Sequence, residues 1–457
     1  MAYACVLASC TTSSTNDASV DTELRAVIEA RGLTGDPAAG LDLPSIEEPV
    51  AVLGRKLFFS KTLGGDRDAA CVSCHHPALG GGDDLPLSIG VGAPDPDLLG
   101  PGRTHPDGEF TVPRNAPSTF NVGLFEKGLF WDSRVEALED AGIRTPDSEF
   151  GSEDPAAGEN IVAAQARFPV TSADEMRGFE FVKDGTNDEL RAALEQRLAD
   201  DGRWGLQFEE VFGSSEITYA RIAEAIEAYE SSQVFTDTPW RAYVEGDDDA
   251  IGIEAKRGAL LFYETNEEGG ANCGSCHSGD FFTDESFWAI SAPQIGRGKG
   301  DGATETNDFG RERETGEEDD RFTFRTPSLL NVTATAPFFH SGAYDDLADV
   351  IRHHFDPQAE TAAYDPSSIP DAAVEGFDEN RLDMLQALLD SPKVIPYFTV
   401  PFEHSDRDVT DLVAFLESLT DPCVMDRDCL SPWVADPEMD DVDGNLLVAL
   451  DGDGEFL

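Results

Sequence analysis

Two short segments of the sequence place two thiols and an imidazole at the same spacing. They read Cys71-Val72-Ser73-Cys74-His75 and Cys273-Gly274-Ser275-Cys276-His277. This pattern is typical of c-type haem attachment, in which both thiols bond to the porphyrin and the adjacent histidine binds the iron. A zinc site made of two cysteine pairs is the alternative, but zinc does not explain a histidine after both second cysteines. The motifs predict two covalently bound haems c, and therefore a protein exported from the cytoplasm.

The elements that must position these motifs repeat along the chain. Residues 53–75 and 257–277 each contain a glycine, an apolar aromatic cluster, a polar loop with glycine and the haem motif. Apolar residues at helical spacing precede the motif, as at Leu53 and Leu57. We therefore expect each half of the chain to present a helix followed by a loop that carries the haem motif.

Three further patterns complete the assignment of elements. Residues 217–234 have the periodicity of an amphipathic helix, and residues 236–252 predict a domain boundary because they contain proline and several aspartates. Ser405 and Asp408 form a capping box that predicts the start of a last helix. Strand patterns are sparse, so the expected fold class is mainly α with long loops. The expected divisions are a leader and flexible tether at 1–45, a first haem domain at 46–235, a second at 236–420 and an acidic tail at 421–457.

The composition excludes some partners. The 457 residues include 90 acidic and 32 basic side chains, for a net charge of −58. A charge of this sign opposes binding to nucleic acid or to an anionic lipid surface, since both require a basic face. Hydrophobic residues make up 40% of the chain, which is enough for folded cores, so the acidic residues indicate a strongly solvated surface rather than disorder.

The first residues carry a possible anchoring motif. Leu7-Ala8-Ser9-Cys10 resembles a bacterial lipoprotein processing box, in which the cysteine becomes lipidated. Only nine residues precede Cys10 and none is basic, so either the true start lies upstream or the match is chance. We expect a periplasmic or cell-envelope protein with a lipid anchor at Cys10.

Several motifs around the haem segments resemble those of the bacterial di-haem cytochrome c peroxidase family, which includes the MauG-type maturation enzymes. The resemblance extends over residues 50–420. It implies two cytochrome c-like α domains, each with one haem, and a calcium ion at their interface. The motifs that carry it are residues 84–90, 114–118, 130–134, 164–169 and 175–176 after the first haem segment, and 324–332 and 335–342 after the second.

By its position in these motifs, Glu175 matches the distal acid/base of the peroxide-binding haem. Gln165 and Pro169 match residues that line the same pocket, and Trp131 matches a tryptophan that relays electrons between the haems. The chain departs from the family between the tryptophan and glutamine motifs, where residues 140–164 form an insert. This insert is expected to affect access to the pocket.

A second departure concerns the iron of the first haem. Many family members have a histidine in a Gly-x-Gly segment that closes the sixth position of this iron, whereas this chain has Gly90-Val91-Gly92. Valine cannot bind iron, so the resemblance implies an open site. His76 and His105 are the remaining candidates for a ligand from outside this segment, and neither is favoured.

The resemblance also implies ligands for the second haem and for calcium. The sixth ligand of the second iron is expected fourteen residues after His340, where this chain has His354. His354 therefore predicts a bis-histidine iron with His277, although His353 as the ligand, or neither, stays open. The calcium ligands of the family match Asn115, Thr335 and Pro337.

These features together predict a di-haem peroxidase. Hydrogen peroxide is expected at the haem of Cys71, Cys74 and His75, with electrons entering through the other haem from a cytochrome c or a cupredoxin, and a homodimer is expected from the resemblance. The alternatives are a MauG-like oxidase acting on a protein or organic substrate, and a non-catalytic electron-transfer cytochrome. The presence of Glu175 and Val91 argues against an electron-transfer cytochrome, because an electron carrier does not need an iron with an open sixth position.

The tail has two weaker patterns. Cys423 and Cys429 are spaced so that they could close a small disulfide loop, which an exported protein tolerates. Residues 440–445 have some character of a calcium loop, but a solvated acidic tail is the preferred interpretation.

Overall fold

Helices form most of the regular structure in the computed structural model, which describes residues 11–139, 142–369, 377–394 and 401–457. The helices are α1 (Thr11–Arg31), α2 (Pro49–Phe58), α3 (Ile161–Gln165), α4 (Asn187–Asp200), α5 (Gly202–Phe212), α6 (Tyr219–Ser231), α7 (Pro239–Glu245), α8 (Ile253–Tyr263), α9 (Glu312–Thr315), α10 (Leu347–Phe355), α11 (Pro357–Ala363), α12 (Phe377–Asp390), α13 (Asp406–Glu417) and α14 (Arg427–Leu430). The strands are β1 (Gly128–Leu129), β2 (Val135–Ala137), β3 (Ile143–Arg144), β4 (Phe287–Trp288) and β5 (Phe324–Arg325).

Each haem motif follows a helix that crosses a second helix at very short range. Helix α2 packs on α6, and α8 packs on α13. A Cβ atom at Gly54 would lie 1.8 Å from the Ala225 carbonyl oxygen, and one at Gly258 would lie 1.9 Å from that of Asp411. Only glycine allows the two backbones to come this close. The glycine shared by the two sequence repeats therefore serves the same helix contact in each half.

The expected helices are present. Helices α2 and α8 precede the haem motifs, and α6 lies within the amphipathic segment 217–234. Helix α13 begins at the expected capping box, where Ser405 Oγ accepts from Asp408 N and Asp408 Oδ2 accepts from Ser405 N. The boundary segment 236–252 is more ordered than expected, since it contains α7 with Trp240 and Tyr243 buried.

Five short strands form two small antiparallel sheets. In the first, β2 lies between β1 and β3, with Gly128 opposite Glu136 and Glu136 opposite Arg144. This sheet contains the start of the insert, whose described residues 142–164 continue into α3. Arg144 Nη1 donates to Glu314 Oε2 at 2.8 Å, so the insert connects the two halves of the chain. In the second sheet β4 pairs with β5.

The segment expected to be a flexible tether is largely helical, so that prediction is wrong for residues 11–31. Helix α1 buries Val20, Leu24 and Ile28 in the core formed mainly by residues of the second half. These three residues recur every fourth position, which places them on one face of the helix. Cys5 and Cys10 lie outside the described residues, and no described helix has the length and hydrophobicity needed to cross a bilayer.

The segment expected to be a solvated acidic tail exposes most of its acidic side chains but also packs on the core. Residues 421–457, here called the C-terminal strap, run back over the first half, where Leu446, Leu447 and Ala449 join the core. One acidic side chain of the strap is buried and paired, since Asp440 forms an ion pair with Arg55 at 3.1 Å. Cys423 and Cys429 form a disulfide, as the sequence suggested.

Substitutions in the strap test directly whether it packs on the first half. Leu447 is 1% exposed, so Leu447→Ala should reduce the free energy of unfolding by about 2–5 kcal/mol through lost burial and a cavity. Met439, in the same strap but 77% exposed, is the control, and Met439→Ala should change stability by less than about 0.5 kcal/mol. Denaturant unfolding of the holoprotein measures both. Equal and negligible effects would mean that the strap does not pack on the first half.

Candidate haem sites and distal pocket

The two haem motifs have the same local geometry. Cys71–Ser73 and Cys273–Ser275 each form a single 3₁₀ turn. His75 Nδ1 lies 3.1 Å from the Gly81 carbonyl oxygen, and His277 Nδ1 lies 3.1 Å from that of Phe282. A carbonyl can only accept, so each Nδ1 carries the proton and each Nε2 keeps its lone pair for a metal.

The chemistry of these groups fits covalently bound haem. Burial lowers the pKa of His75, and burial together with the neighbouring His354 lowers the pKa of His277 to about 4, so both imidazoles are neutral at pH 7. The four cysteines of the motifs are unpaired thiols. Within the part of the chain that the structure describes, no three His, Cys, Asp or Glu side chains are grouped to hold a bare metal ion.

The second motif opens onto a large apolar cavity of about 260 Å³. Cys273, Cys276 and His277 lie on its wall, together with His354. The cavity therefore offers thiols and imidazoles at an otherwise hydrophobic surface, as a haem requires. Its apolar walls include Phe262, Leu329, Leu330, Phe339, Ile351 and Leu416.

The structure distinguishes the two adjacent histidines of α10. His353 Nε2 lies 2.8 Å from the Ile290 carbonyl oxygen, and its Nδ1 lies 3.2 Å from the hydroxyl of Tyr344. Both nitrogens of His353 are therefore engaged within the protein. His354 lines the cavity, with its Nδ1 2.8 Å from the Val350 carbonyl oxygen. The position expected for the sixth ligand is thus the one that faces His277.

Other expected residues lie together at the junction of the two halves. The cavity at the second haem motif is also lined by Trp131, Asn115, Thr335 and Pro337. The indole Nε1 of Trp131 donates to the Asn115 carbonyl oxygen at 3.0 Å, and Asn115 N donates to the His340 carbonyl oxygen at 2.8 Å. The expected calcium ligands are therefore next to the expected electron relay.

His340 itself is buried beside this junction. Its ring stacks on Phe324 with centroids 3.6 Å apart, and its Nε2 lies 3.3 Å from Gln294 Oε1. Burial lowers the pKa of His340 to about 3, so the ring is neutral. This position agrees with a packing role near the second haem rather than iron ligation.

Glu175 lies on a π-helical turn, Ala173–Arg177, which packs against the turn Pro169–Thr171. Burial raises the pKa of the Cys74 thiol to about 12, and the negative charges of Asp83 and Glu175 add to the rise. Glu175 is therefore an electrostatic neighbour of the first haem motif. Gln165, at the end of α3, and Pro169 are half-buried next to this turn.

The Gly90-Val91-Gly92 segment packs directly on the turn of Glu175. Val91 N donates to the Asp174 carbonyl oxygen at 3.3 Å, and a Cβ atom at Gly90 would lie 2.4 Å from that of Glu175. Val91 is 5% exposed and belongs to the core of the first half, against which Cys71 also packs. A hydrocarbon side chain thus stands where the resemblance places an iron ligand.

Arg103, which the sequence analysis missed, holds this segment in place. Its guanidinium is buried and donates to the carbonyl oxygens of Ile89 and Gly90, both at 2.6 Å. It also reaches the carbonyls of Asp68, Pro96 and Leu98. No sequence pattern marks it, because all five acceptors are backbone atoms brought together by the fold.

The two histidines considered as outside ligands have other surroundings. His76 is fully buried, and its Nδ1 accepts from Ala78 N at 3.1 Å as the cap of a 3₁₀ turn. The ring of His105 packs on Gly92, and its Nδ1 lies 3.9 Å from a carboxylate oxygen of Asp107. Arg103 lies two residues before His105, so the backbone leading to this histidine is held by the same contacts.

A chain of ion pairs, also missed from the sequence, connects the distal pocket with the second half. Arg114 donates to Asp308 at 2.5 and 2.8 Å and to Asp132 at 2.6 Å. Asp132 in turn pairs with Arg134 at 3.4 Å, and Arg134 with Glu175 at 3.9 Å. The Arg114 guanidinium lowers the pKa of Asp308 to about 2 despite burial, and also lowers that of Asp132, so both carboxyls are ionised.

Comparison with known proteins agrees with these features. Residues 48–249 match the family model described as di-haem cytochrome c peroxidase. The chain is 28% identical over 380 residues to the methylamine utilization protein MauG of Methylorubrum extorquens, covering 82% of this chain and 79% of that protein. It is 28% identical over 309 residues to the cytochrome c551 peroxidase of Pseudomonas aeruginosa, covering 67% of this chain and 71% of that protein.

Solved structures share the fold. A MauG-like protein associated with microbial copper homeostasis superposes with a TM-score of 0.59 at 24% identity, over 88% of this chain and 98% of that one. The diheme peroxidase BthA from Burkholderia thailandensis superposes with a TM-score of 0.55 at 23% identity, over 89% and 92%. Two attachment motifs, one in each half, are what a di-haem family requires. The resemblance to the di-haem cytochrome c peroxidase family is thus confirmed, and the protein is an oxidoreductase of the cytochrome c peroxidase type.

Proposed function

We propose that the protein reduces hydrogen peroxide to water with electrons from a small redox protein. One peroxide, two electrons and two protons give two waters. The observation that carries the proposal is the pairing of Glu175 with Val91 beside the first haem motif. A positioned carboxylate serves proton transfer, and a hydrocarbon in place of a ligand leaves room for a substrate.

The haem held by Cys71, Cys74 and His75 supplies the redox chemistry of this reaction, and the protein supplies the proton transfer. Glu175 takes a proton from peroxide and returns it to the departing oxygen, which is the general acid/base step that O–O cleavage needs. Gln165 orients the substrate, and Pro169 lines the same pocket. The turn that carries Glu175 is held by Val91 N and by Arg134, so the carboxylate is in place before the substrate arrives.

The second haem site is proposed as the point of electron entry. His277 and His354 would bind its iron, since His354 lies on the cavity wall and both nitrogens of His353 are engaged elsewhere. Trp131 would relay electrons between the two sites. Its indole is held in one orientation by the bond to the Asn115 carbonyl oxygen.

A calcium ion is proposed at the junction of the two halves. Its ligands would be the side-chain oxygen of Asn115 and the carbonyl oxygens of Thr335 and Pro337, and oxygen-only ligation suits this hard cation. Asn115 Nδ2 donates to the Leu85 carbonyl oxygen at 2.9 Å, so the amide oxygen of Asn115 points away from Leu85. The ion would thus fix the loops on either side of Trp131.

Covalent attachment of haem c places the proposed reaction in the cell envelope, where a cytochrome c or a cupredoxin would donate electrons. The lipid anchor at Cys10 and the homodimer stay predictions. A mass measurement of the mature protein, with its N-terminal peptide, tests the anchor.

The first functional prediction concerns the acid/base. Glu175→Gln should keep both haems but slow the oxidation of reduced cytochrome c by peroxide about a hundredfold, because the amide cannot accept the proton. Glu180→Gln is the control, since Glu180 is exposed in the same loop and pairs with Lys183 at the surface. Turnover of Glu175→Gln within about threefold of the parent would exclude Glu175 from the reaction. If the parent protein consumes peroxide without oxidising reduced cytochrome c, the MauG-like oxidase is favoured instead.

The second prediction concerns the bis-histidine iron. His354→Ala should convert one ferric haem from low spin to high spin, whereas His353→Gln should leave the spin state unchanged because the side chain still bonds to Tyr344 or Ile290. Electron paramagnetic resonance of the resting ferric protein measures both. A change of spin state in His353→Gln and none in His354→Ala would identify His353 as the ligand.

A further inference from the structure

The distal carboxylate of Glu175 has a cation beside it whose position is set by three contacts. The Arg134 Nη2 atom lies 3.9 Å from Glu175 Oε1, and its Nη1 lies 3.4 Å from Asp132 Oδ1. The guanidinium carbon lies 3.4 Å from the centroid of the Phe130 ring, which supports it from below. Both Arg134 and Glu175 are largely shielded, with side chains 19% and 24% exposed.

We propose that Arg134 positions the Glu175 carboxylate for proton transfer from peroxide and is itself anchored through Asp132 to the buried ion pairs of the inter-half junction. This inference rests on the proposed function, because it gives Arg134 a role only if Glu175 is the acid/base. Arg134 is a positioning residue: it acts on the carboxylate and not on the reacting oxygen atoms.

The anchor is rigid because its ionic members are buried and fully paired. Asp132 uses Oδ1 for Arg134 and Oδ2 for Arg114, and Arg114 holds Asp308 with two further N–H groups. The side chains of Arg114, Asp132 and Asp308 are 5%, 3% and 0% exposed. A guanidinium tied to such a set has far less freedom than one on the surface, so it can define the place of its partner.

Glu175 lies in a cluster of both signs of charge. Arg114, Arg134 and Lys299 are among its cations, and Asp132 and Asp308 are among its anions. Burial is the main cause that lowers the pKa of Lys299 to about 8, and the positive charges of Arg114 and Arg134 contribute to the same shift. The carboxylate of Glu175 adds a further negative charge, and Arg134 is the cation that pairs with it.

The distance between the Arg134 guanidinium and the Glu175 carboxylate allows the carboxylate to act as a base. A tight bidentate pair would occupy both carboxylate oxygens and leave none to accept a proton. At 3.9 Å the attraction orients the group while its lone pairs stay available. Misplacement of a catalytic group by about 1 Å can cost a hundredfold in rate, so loss of this contact should be measurable.

The experiment compares four variants of the holoprotein: Arg134→Gln, Arg134→Lys, Glu175→Gln and the double Arg134→Gln/Glu175→Gln. Arg321→Gln is the matched control, since Arg321 also lies over a ring, that of Phe309, and pairs with a carboxylate, that of Glu312. Two rate constants are measured by stopped-flow absorbance. One is the reaction with peroxide, and the other is the binding of hydrogen cyanide, which must also lose a proton to a base but involves no redox step.

Arg134→Gln should slow both reactions about tenfold or more, and Arg134→Lys should restore them to within about threefold because it keeps the charge. In the Glu175→Gln background, Arg134→Gln should cost less than about twofold, since nothing remains to be positioned. Arg321→Gln should leave both rates unchanged.

Two contrary results are distinguishable. If Glu175→Gln is slow but Arg134→Gln is as fast as the parent in both reactions, Arg134 has no positioning role and the proposed function stands. If Glu175→Gln is itself as fast as the parent, the acid/base assignment fails and the role of Arg134 fails with it. Equal losses from Arg134→Gln with and without Glu175 would also overturn the inference, because they indicate a general structural effect.

Discussion

The buried guanidinium of Arg114, held between Asp132 of its own half and Asp308 of the other, is the interaction on which the functional geometry depends. Removing one partner of such a buried pair typically costs about 3–5 kcal/mol, because the remaining charge is left without compensation. The neighbours of these residues in sequence are the ones that the proposed reaction uses. Asn115 follows Arg114, Trp131 precedes Asp132, and Arg134 pairs with Asp132. One cross-half contact therefore positions the proposed electron relay, a proposed calcium ligand and the partner of the proposed acid/base.

The distal pocket is built as a fixed structure. Arg103 binds five carbonyl oxygens around the Gly90-Val91-Gly92 segment, and the C-terminal strap adds Leu450, which bonds to both Asp97 and Leu99. With valine in this segment, the proposed function assigns the sixth position of the first iron to the substrate. The strap also packs in the core that contains Val91, whereas α1 packs in the core of the second half.

Local patterns predicted the haem motifs, the helices before them and the capping box at Ser405, because each depends on residues close in sequence. Long-range contacts were not predictable in this way. The engagement of His353 depends on Tyr344 and Ile290, and Arg103 and Arg134 act on atoms that only the fold brings near. The strap was misjudged because its acidic residues outweigh the short apolar run at 446–449, although Asp440 is itself paired and buried. For α1, the recurrence of Val20, Leu24 and Ile28 was the available signal of a packed helix.

In the proposed reaction, the first haem site is open and ready for peroxide in the fully oxidised protein. The most direct test mixes the all-ferric holoprotein with one equivalent of hydrogen peroxide, without any electron donor, and follows haem absorbance in a stopped-flow instrument. An open site should give an immediate spectral change of the first haem, and the resting spectrum should show one high-spin and one low-spin iron. Two low-spin irons at rest, and no reaction until one electron has been added, would contradict it and identify His105 as a ligand that reaches the iron.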